Sequence, residues 1–105
     1  MRIGITGASG LIGSALTTHL QQQGHETVAF VRREPRSASE ISWRPGTDLD
    51  PGRLSGLDAI VHLAGAGVGD KRWTDSYKEV IRSSRVDGTK TIARAMAAAD
   101  DGPRV

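Results

Sequence analysis

Three glycines near the start of the chain restrict its fold more than any other feature. Residues 2–6 (RIGIT) are short and apolar enough for a buried strand, and Gly7, Gly10 and Gly13 follow at regular spacing. A helical pattern of apolar residues begins at Leu11. Glycine suits a sharp exit from a strand with positive φ, and further along it lets a helix approach the strand closely. A strand, a glycine turn and a helix in this order predict the first unit of a parallel α/β sheet.

The same turn predicts a site for a dinucleotide pyrophosphate, because unpaired N–H groups and a partial positive charge at a helix N-terminus favour an anion. A glycine at the middle of the turn leaves the backbone open to a phosphate, and two nearby hydroxyl groups add donors. The alternative is a strand–helix turn with incidental glycines. No Gly-Lys-Ser/Thr follows, which excludes a Walker loop. The residues that we assign to the pyrophosphate are Thr6, Gly7, Ser9, Gly10, Leu11, Ile12 and Gly13.

Two arginines directly follow the second predicted strand, which covers residues 25–31 (HETVAFV). In a dinucleotide-binding fold this strand end lies beside the adenosine ribose, where an acid favours NAD and an arginine binds the 2′-phosphate of NADP. A guanidinium group matches phosphate in geometry and charge. Arg32 and Arg33 therefore predict NADP(H) as the cofactor, with NAD less favoured because the nearest acid, Glu34, lies further out. The alternative is a pair of solvated loop arginines.

Two more strands and a long helix are predicted after the arginines. Residues 40–43 suggest a short third strand, residues 51–55 a helical turn and residues 58–63 an apolar fourth strand. Ligands of open α/β sheets bind at the carboxyl ends of the strands, and the small residues after the fourth strand let a ribose or diphosphate approach. A helix capped by Thr74 extends to Ala99, and Gly88 predicts a kink or a division into two parts.

Composition limits the chain to one small domain, residues 1–105, without thiol chemistry. It has 105 residues, no cysteine, and fourteen basic residues interleaved with twelve acidic ones for a net charge of +2. Disulfides and thiolate metal sites are excluded, and we expect no metal and no nucleic-acid partner. No apolar run could span a bilayer and no signal peptide opens the chain. We therefore expect no membrane association and a cytoplasmic location.

Four stretches of the chain resemble the extended short-chain dehydrogenase/reductase superfamily. They are residues 6–13 (TGASGLIG), 62–65 (HLAG), 70–74 (DKRWT) and 84–85 (SR). The last three are similar to an atypical NADP-binding branch described as nucleoside-diphosphate-sugar epimerase-like, and the resemblance covers nearly the whole chain. It implies a Rossmann-type α/β fold with helices on both faces of a parallel sheet, in strand order 3-2-1-4. It also implies that Leu63, Ala64 and Gly65 lie near the cofactor and that Arg85 contacts the cofactor or a substrate phosphate. The alternative for Arg85 is a salt-bridged helix arginine.

The acid–base pair of the superfamily, a tyrosine with a lysine four residues later, is not found in this chain. Its only tyrosine is Tyr77, and Ile81 stands four residues on, so we interpret Tyr77 as a packing residue and assign no catalytic residue. Members of the superfamily are longer, with a substrate region after the cofactor domain. We therefore interpret the chain as the N-terminal half of an NADP(H)-dependent oxidoreductase or epimerase-like enzyme, inactive alone.

Three further expectations follow from this interpretation. The substrate of the complete enzyme would be a nucleotide sugar or another small molecule. The alternative function is a non-catalytic regulatory module that senses NADP(H). The apolar fourth strand would form an unprotected sheet edge, which predicts pairing with a second copy of the chain as a homodimer.

Overall fold

The chain folds around a four-stranded parallel sheet in a computed structural model that describes residues 1–64 and 74–105. Every predicted element is present, and the ends differ by one residue at most. The elements are β1 (Arg2–Thr6), α1 (Leu11–Gln22), β2 (Glu26–Val31), β3 (Glu40–Ser42), a 3-10 turn (Pro51–Leu54), β4 (Ala59–His62) and α2 (Asp75–Ala98). The strand order β3-β2-β1-β4 confirms the predicted topology.

One face of the sheet carries a closed apolar core. The register pairs Gly4 with Val28 and with Ile60, and side chains alternate between the two faces along each strand. α2 covers this face, and the 3-10 turn packs beside it. The buried residues of this core are Val28, Phe30, Ile41, Trp43, Leu49, Leu54, Leu57, Ile92 and Ala95. Most of the buried hydrophobic residues in the described ranges therefore lie on the α2 side.

The opposite face is covered by α1, and less completely. Ile3 and Ile5 are buried beneath it, and Gln21 Nε2 donates a hydrogen bond of 2.9 Å to the hydroxyl of Thr27 on β2. The helical pattern of apolar residues that begins at Leu11 predicts a face packed on the sheet, but Leu11 is 89% exposed and Ile12 69% exposed. Both lie in the first turn of the helix, beyond the carboxyl ends of the strands. The helix therefore contacts the sheet mainly through its later turns.

α2 is a single helix that passes through Gly88 without interruption. Its first turn is capped as predicted, because Thr74 Oγ1 accepts a hydrogen bond of 3.1 Å from the Tyr77 amide. Gly88 is buried, and a Cβ at this position would lie 3.1 Å from Cε1 and Nε2 of His62. The glycine thus allows close contact between α2 and β4, and the predicted division of the helix is wrong.

The outer edge of β4 is not bare. The amide of Arg104 donates to the Asp58 carbonyl at 3.3 Å, and the amide of Ile60 donates to the Val105 carbonyl at 2.8 Å. Residues 104–105 thus begin to pair with β4, which differs from the unprotected edge that we expected; a homodimer stays a prediction. Within the described ranges, neither helix combines the length and the apolar character needed to cross a membrane.

Candidate functional site

The glycine turn has the backbone geometry that its sequence predicts. Gly7 has a φ of 69°, which a side chain at this position would strain, and its carbonyl accepts a hydrogen bond of 3.1 Å from the Gly10 amide. A Cβ on Gly13 would overlap the Gly7 carbonyl oxygen and would lie 2.9 Å from Cα of Ala8. The tight contact between the start of α1 and the turn therefore depends on glycine at position 13.

The N-terminus of α1 is open toward solvent. Gly10 is the N-cap and offers no capping side chain, and the first turn contains no acidic residue. The first hydrogen bond of the helix runs from the Ser14 amide to the Gly10 carbonyl at 2.8 Å. Among the residues that the structure describes, a Cβ on Gly10 would meet the Gly7 carbonyl oxygen alone, at 3.4 Å. The amides that precede the first helical bond belong to Leu11, Ile12 and Gly13.

The hydroxyl of Thr6 faces β4 and not the open side of the turn. Thr6 is fully buried, and its Oγ1 accepts hydrogen bonds from the Leu63 amide at 3.0 Å and the Ala64 amide at 3.1 Å. The same oxygen lies 2.7 Å from Nδ1 of His62. We predicted that this hydroxyl would serve the phosphate, but the structure gives it three partners inside the fold. Ser9, by contrast, is exposed at the turn.

His62 is held as a neutral ring with a defined tautomer. Since Thr6 Oγ1 already accepts two amide protons, its own proton is donated to Nδ1, which leaves the ring proton of His62 on Nε2. The ring stands edge-on to Trp43 with 5.9 Å between centroids. Burial lowers the pKa of His62, and the positive charge of Arg85 lowers it further. Within residues 1–64 and 74–105, the buried Nε2 has no hydrogen-bond partner.

Arg33 is occupied by a carboxylate at the start of β3. Its two terminal nitrogens donate to the oxygens of Glu40 at 2.9 and 2.6 Å, and one of them also donates to the Glu34 carbonyl at 3.0 Å. Glu40 accepts a further bond of 2.7 Å from the Arg36 amide. The hydrogen bonds from Arg33 lower the pKa of Glu40 to about 2. The β2–β3 loop is therefore organised around one ion pair.

Arg32 has a different environment. It lines a hollow of about 360 Å³ together with Trp43 and Asp48. Asp48 is an exposed loop residue, whereas Asp50 caps the 3-10 turn by accepting a 3.0 Å bond from the Gly52 amide. A second hollow, of about 510 Å³, lies between residues 46–51 and α2, away from the glycine turn.

The predicted site residues converge on one edge of the sheet. The glycine turn follows β1, Arg32 and Arg33 follow β2, and Leu63 and Ala64 follow β4. Because the strands are parallel, these segments all lie at the carboxyl edge, where open α/β sheets bind ligands. Gly65 and the run 70–73 lie outside the described residues. Arg85 lies on α2, one helical turn before Gly88.

Sequence reasoning missed two partnerships at this site. The bond between Thr6 and His62 joins strands that are neighbours in space but 56 residues apart in the chain. The pairing of Arg33 with Glu40 depends on how the β2–β3 loop returns to the sheet. Opposite charges seven residues apart were visible in the sequence, but such a spacing alone indicates no contact. Tyr77, which we interpreted as a packing residue, is buried.

Comparisons with known proteins agree with this architecture. A family model for NAD dependent epimerase/dehydratase proteins matches residues 3–105. The chain belongs to this family. An epimerase family protein of Mycobacterium bovis, Mb2239, is 39% identical over 96 residues, which are 90% of this chain and 32% of that protein. The chain thus spans about a third of the length of the curated relatives it matches.

Two solved structures have the same fold. The human epimerase family protein SDR39U1, crystallised with NADPH, gives a TM-score of 0.80 with 29% identity over 99% of this chain and 34% of its own. The nucleoside-diphosphate sugar epimerase from Corynebacterium glutamicum gives 0.77 with 40% identity over 97% of this chain and 21% of its own. The resemblance on residues 6–13 and the predicted Rossmann-type fold are therefore confirmed.

Proposed function

We propose that the chain is the NADP(H)-binding N-terminal portion of an NAD(P)-dependent oxidoreductase of the epimerase/dehydratase family. The observation that carries the proposal is the open N-terminus of α1, where three amides lacking helical acceptors lie above a glycine turn. The similarity to a human protein crystallised with NADPH supports it. When bound, the nicotinamide would exchange hydride with the substrate.

The pyrophosphate would be held by backbone groups. The amides of Leu11, Ile12 and Gly13 offer hydrogen-bond donors, and the positive end of the α1 dipole favours the charge. Gly7 and Gly10 keep the approach free of side chains, and Ser9 adds an exposed hydroxyl. The residues present therefore fit a diphosphate, because the turn provides donors, space and no acidic group.

The two ends of the dinucleotide would use different side chains. Arg32 and Arg33 lie where the adenosine ribose meets the end of β2, and their charge favours the 2′-phosphate of NADP(H). At the nicotinamide end, Leu63, Ala64 and Gly65 would flank the ribose, with Arg85 on the adjoining helix. Thr6 contributes indirectly, because its hydroxyl fixes the backbone of Leu63 and Ala64.

Chemistry on the substrate is assigned to no residue of this chain. Its single tyrosine, Tyr77, is buried in α2. We therefore propose that the chain alone binds cofactor without turnover. The complete protein would act in the cytoplasm on a nucleotide sugar or another small molecule.

The second candidate function, sensing of NADP(H) without chemistry, is favoured by the same absence of a tyrosine–lysine pair from the sequence. Both candidates share the cofactor. They differ in whether a protein of the relatives' length, carrying this chain, oxidises bound NADPH in the presence of a substrate.

Calorimetric titration with NADPH and NADH tests the proposal. We expect NADPH to bind about tenfold or more tightly than NADH, since charge-assisted hydrogen bonds to a phosphate are worth more than neutral ones. The double variant Arg32→Ala, Arg33→Ala should lose this preference and keep its affinity for NADH. A matched control, Arg36→Ala with Arg82→Ala, removes two exposed arginines elsewhere. A folded chain that binds neither nucleotide would overturn the proposal.

A further inference from the structure

Three arginines from separate segments line one hollow beyond the carboxyl ends of β2 and β3. The hollow of about 360 Å³ is bordered by Arg32 after β2, Arg44 after β3 and Arg53 in the 3-10 turn. Only Arg32 was marked by the sequence pattern of a cofactor site. A concave surface with several guanidinium groups is suited to a phosphate, which can accept forked hydrogen bonds from each.

The charges of these three arginines are available to a ligand. In the described ranges, none of the three forms an ion pair; the pairs found there are Arg2–Glu26, Arg33–Glu40 and Arg82–Glu79. Two aspartates, Asp48 and Asp50, also border the hollow, so its lining has one more positive than negative side chain. The carboxylate of Asp50 is already bonded to the Gly52 amide. The hollow therefore keeps a positive character.

The sheet register places Arg44 beside the end of β2. Val31 pairs with Ser42, and the Trp43 amide continues the ladder with a 2.9 Å bond to the Val31 carbonyl. The chain segments that carry Arg32 and Arg44 therefore leave neighbouring strands side by side. The adenosine ribose of a dinucleotide lies against the end of the second strand in this fold. Arg44 therefore leaves β3 on the side of the sheet edge where this ribose would lie.

Arg33 contrasts with Arg44 in this respect. Both terminal nitrogens of the Arg33 guanidinium group donate hydrogen bonds to the Glu40 carboxylate. A phosphate could engage Arg33 only by competing with that carboxylate, whereas Arg44 has no acidic partner in the described part of the chain. The availability of the Arg44 guanidinium group and its position beside the end of β2 both favour Arg44 over Arg33 as a partner of the phosphate.

We infer that Arg44 is a specificity-determining residue, which joins Arg32 in holding the 2′-phosphate of NADP(H) in the hollow after β2 and β3. This inference rests on the proposed function, because it presumes that the cofactor lies along the carboxyl edge of the sheet. It assigns the phosphate to arginines from two strands, whereas the sequence pattern offers only the pair after β2.

Adenosine fragments test the inference at this end of the site alone. The complete 105-residue chain is titrated with 2′,5′-ADP, which has the 2′-phosphate, and with 5′-AMP, which lacks it. Arg44→Gln should lower the affinity for 2′,5′-ADP about tenfold and the affinity for 5′-AMP less than about twofold. Such a difference is expected for the loss of a charged hydrogen-bond donor. Arg44→Lys keeps the positive charge but lacks the guanidinium group, so its affinity for 2′,5′-ADP should lie between those of the parent chain and Arg44→Gln. Arg36→Gln is the control, since Arg36 is an exposed arginine of the β2–β3 loop that does not line the hollow.

The outcomes of these titrations distinguish failure of the inference from failure of the proposed function. Selective loss of 2′,5′-ADP binding in Arg44→Gln, with Arg36→Gln unchanged, supports the inference. If Arg44→Gln and the parent chain bind 2′,5′-ADP with equal affinity, the inference is overturned, whereas the proposed binding of NADPH is unaffected. If Arg44→Gln and Arg36→Gln lose the same affinity for 2′,5′-ADP, the inference is also overturned, because the loss of one positive charge at any position would then explain the result. If the folded parent chain binds neither NADPH nor 2′,5′-ADP, the proposed function fails and the inference fails with it. Circular dichroism of each variant identifies unfolded protein.

Discussion

The two ends of the proposed site are built in different ways. At the glycine turn, the important atoms belong to the backbone, and the missing Cβ of Gly13 decides whether α1 can meet the turn. At the adenosine end, the important atoms belong to long, exposed side chains such as Arg32 and Arg44. A change at Gly13 should therefore affect folding and binding together. A change at the arginines should alter which nucleotide is preferred and leave the fold intact.

The largest effect is expected from Gly13→Val, which tests the turn end. The added side chain overlaps the Gly7 carbonyl, so we expect loss of NADPH binding and a free energy of unfolding lower by about 1–3 kcal/mol or more, as for overpacked cores. Urea denaturation and calorimetry measure the two quantities.

Gly10→Ala is the matched control for that change. Its Cβ has ordinary contact with the Gly7 carbonyl at 3.4 Å, so folding should be nearly unchanged while the phosphate approach is narrowed. If Gly13→Val binds NADPH as the parent does, the contrast between the two ends is wrong.

Thr6→Val should have the next largest effect, because it removes the acceptor of two partly buried amides with little change in the shape of the side chain. The Ala64 amide would lose its Oγ1 partner, and the Leu63 amide would keep only the weaker bond to the Thr6 carbonyl. Leaving a buried donor unsatisfied costs about 1–3 kcal/mol in unfolding free energy. Thr6→Ser, which keeps the hydroxyl, should restore most of the stability. Equal stabilities of Thr6→Val and Thr6→Ser would show that the hydroxyl does not support the exit from β4.

A smaller effect is expected from pH, through His62. Burial lowers the pKa of His62 in the folded chain below the ordinary 6.5, so the unfolded chain binds the proton more readily. His62 therefore lowers stability progressively as the pH falls below 6.5, and it has no such effect above that value. The decrease in unfolding free energy below that pH should be smaller in His62→Asn than in the parent chain. His19→Asn, at an exposed helix position, should behave as the parent does.

The smallest effect is expected from Glu40→Gln at the adenosine end. Removal of the carboxylate frees Arg33 for a ligand, and exposed ion pairs contribute little to stability. We expect NADPH to bind about twofold to fivefold more tightly, with NADH unchanged, since one more guanidinium group could reach the phosphate. A weaker affinity for NADPH would mean that Glu40 orients Arg33 for the cofactor.

The same contrast explains which features the sequence could predict. The β1–turn–α1 unit was predictable because the conformations of Gly7 and Gly13 depend on local backbone constraints. The order β3-β2-β1-β4 was implied by the resemblance to the extended short-chain dehydrogenase/reductase superfamily, because alternation of strands and helices also permits other orders. The buried direction of the Thr6 hydroxyl was not predictable, because it depends on how β1 and β4 are paired. The contact of Arg33 with Glu40 likewise depends on the path of a loop.

The most direct test of the account follows backbone amide chemical shifts by NMR while NADPH is added to the chain. If the nucleotide lies along the carboxyl edge of the sheet, the largest changes occur at Leu11, Ile12 and Gly13, with a second group at Arg32 and Arg44. Changes centred on Lys90 and Arg94, in the hollow of about 510 Å³ beside α2, would place the nucleotide elsewhere and contradict the account. Unchanged shifts throughout a folded chain would also contradict it.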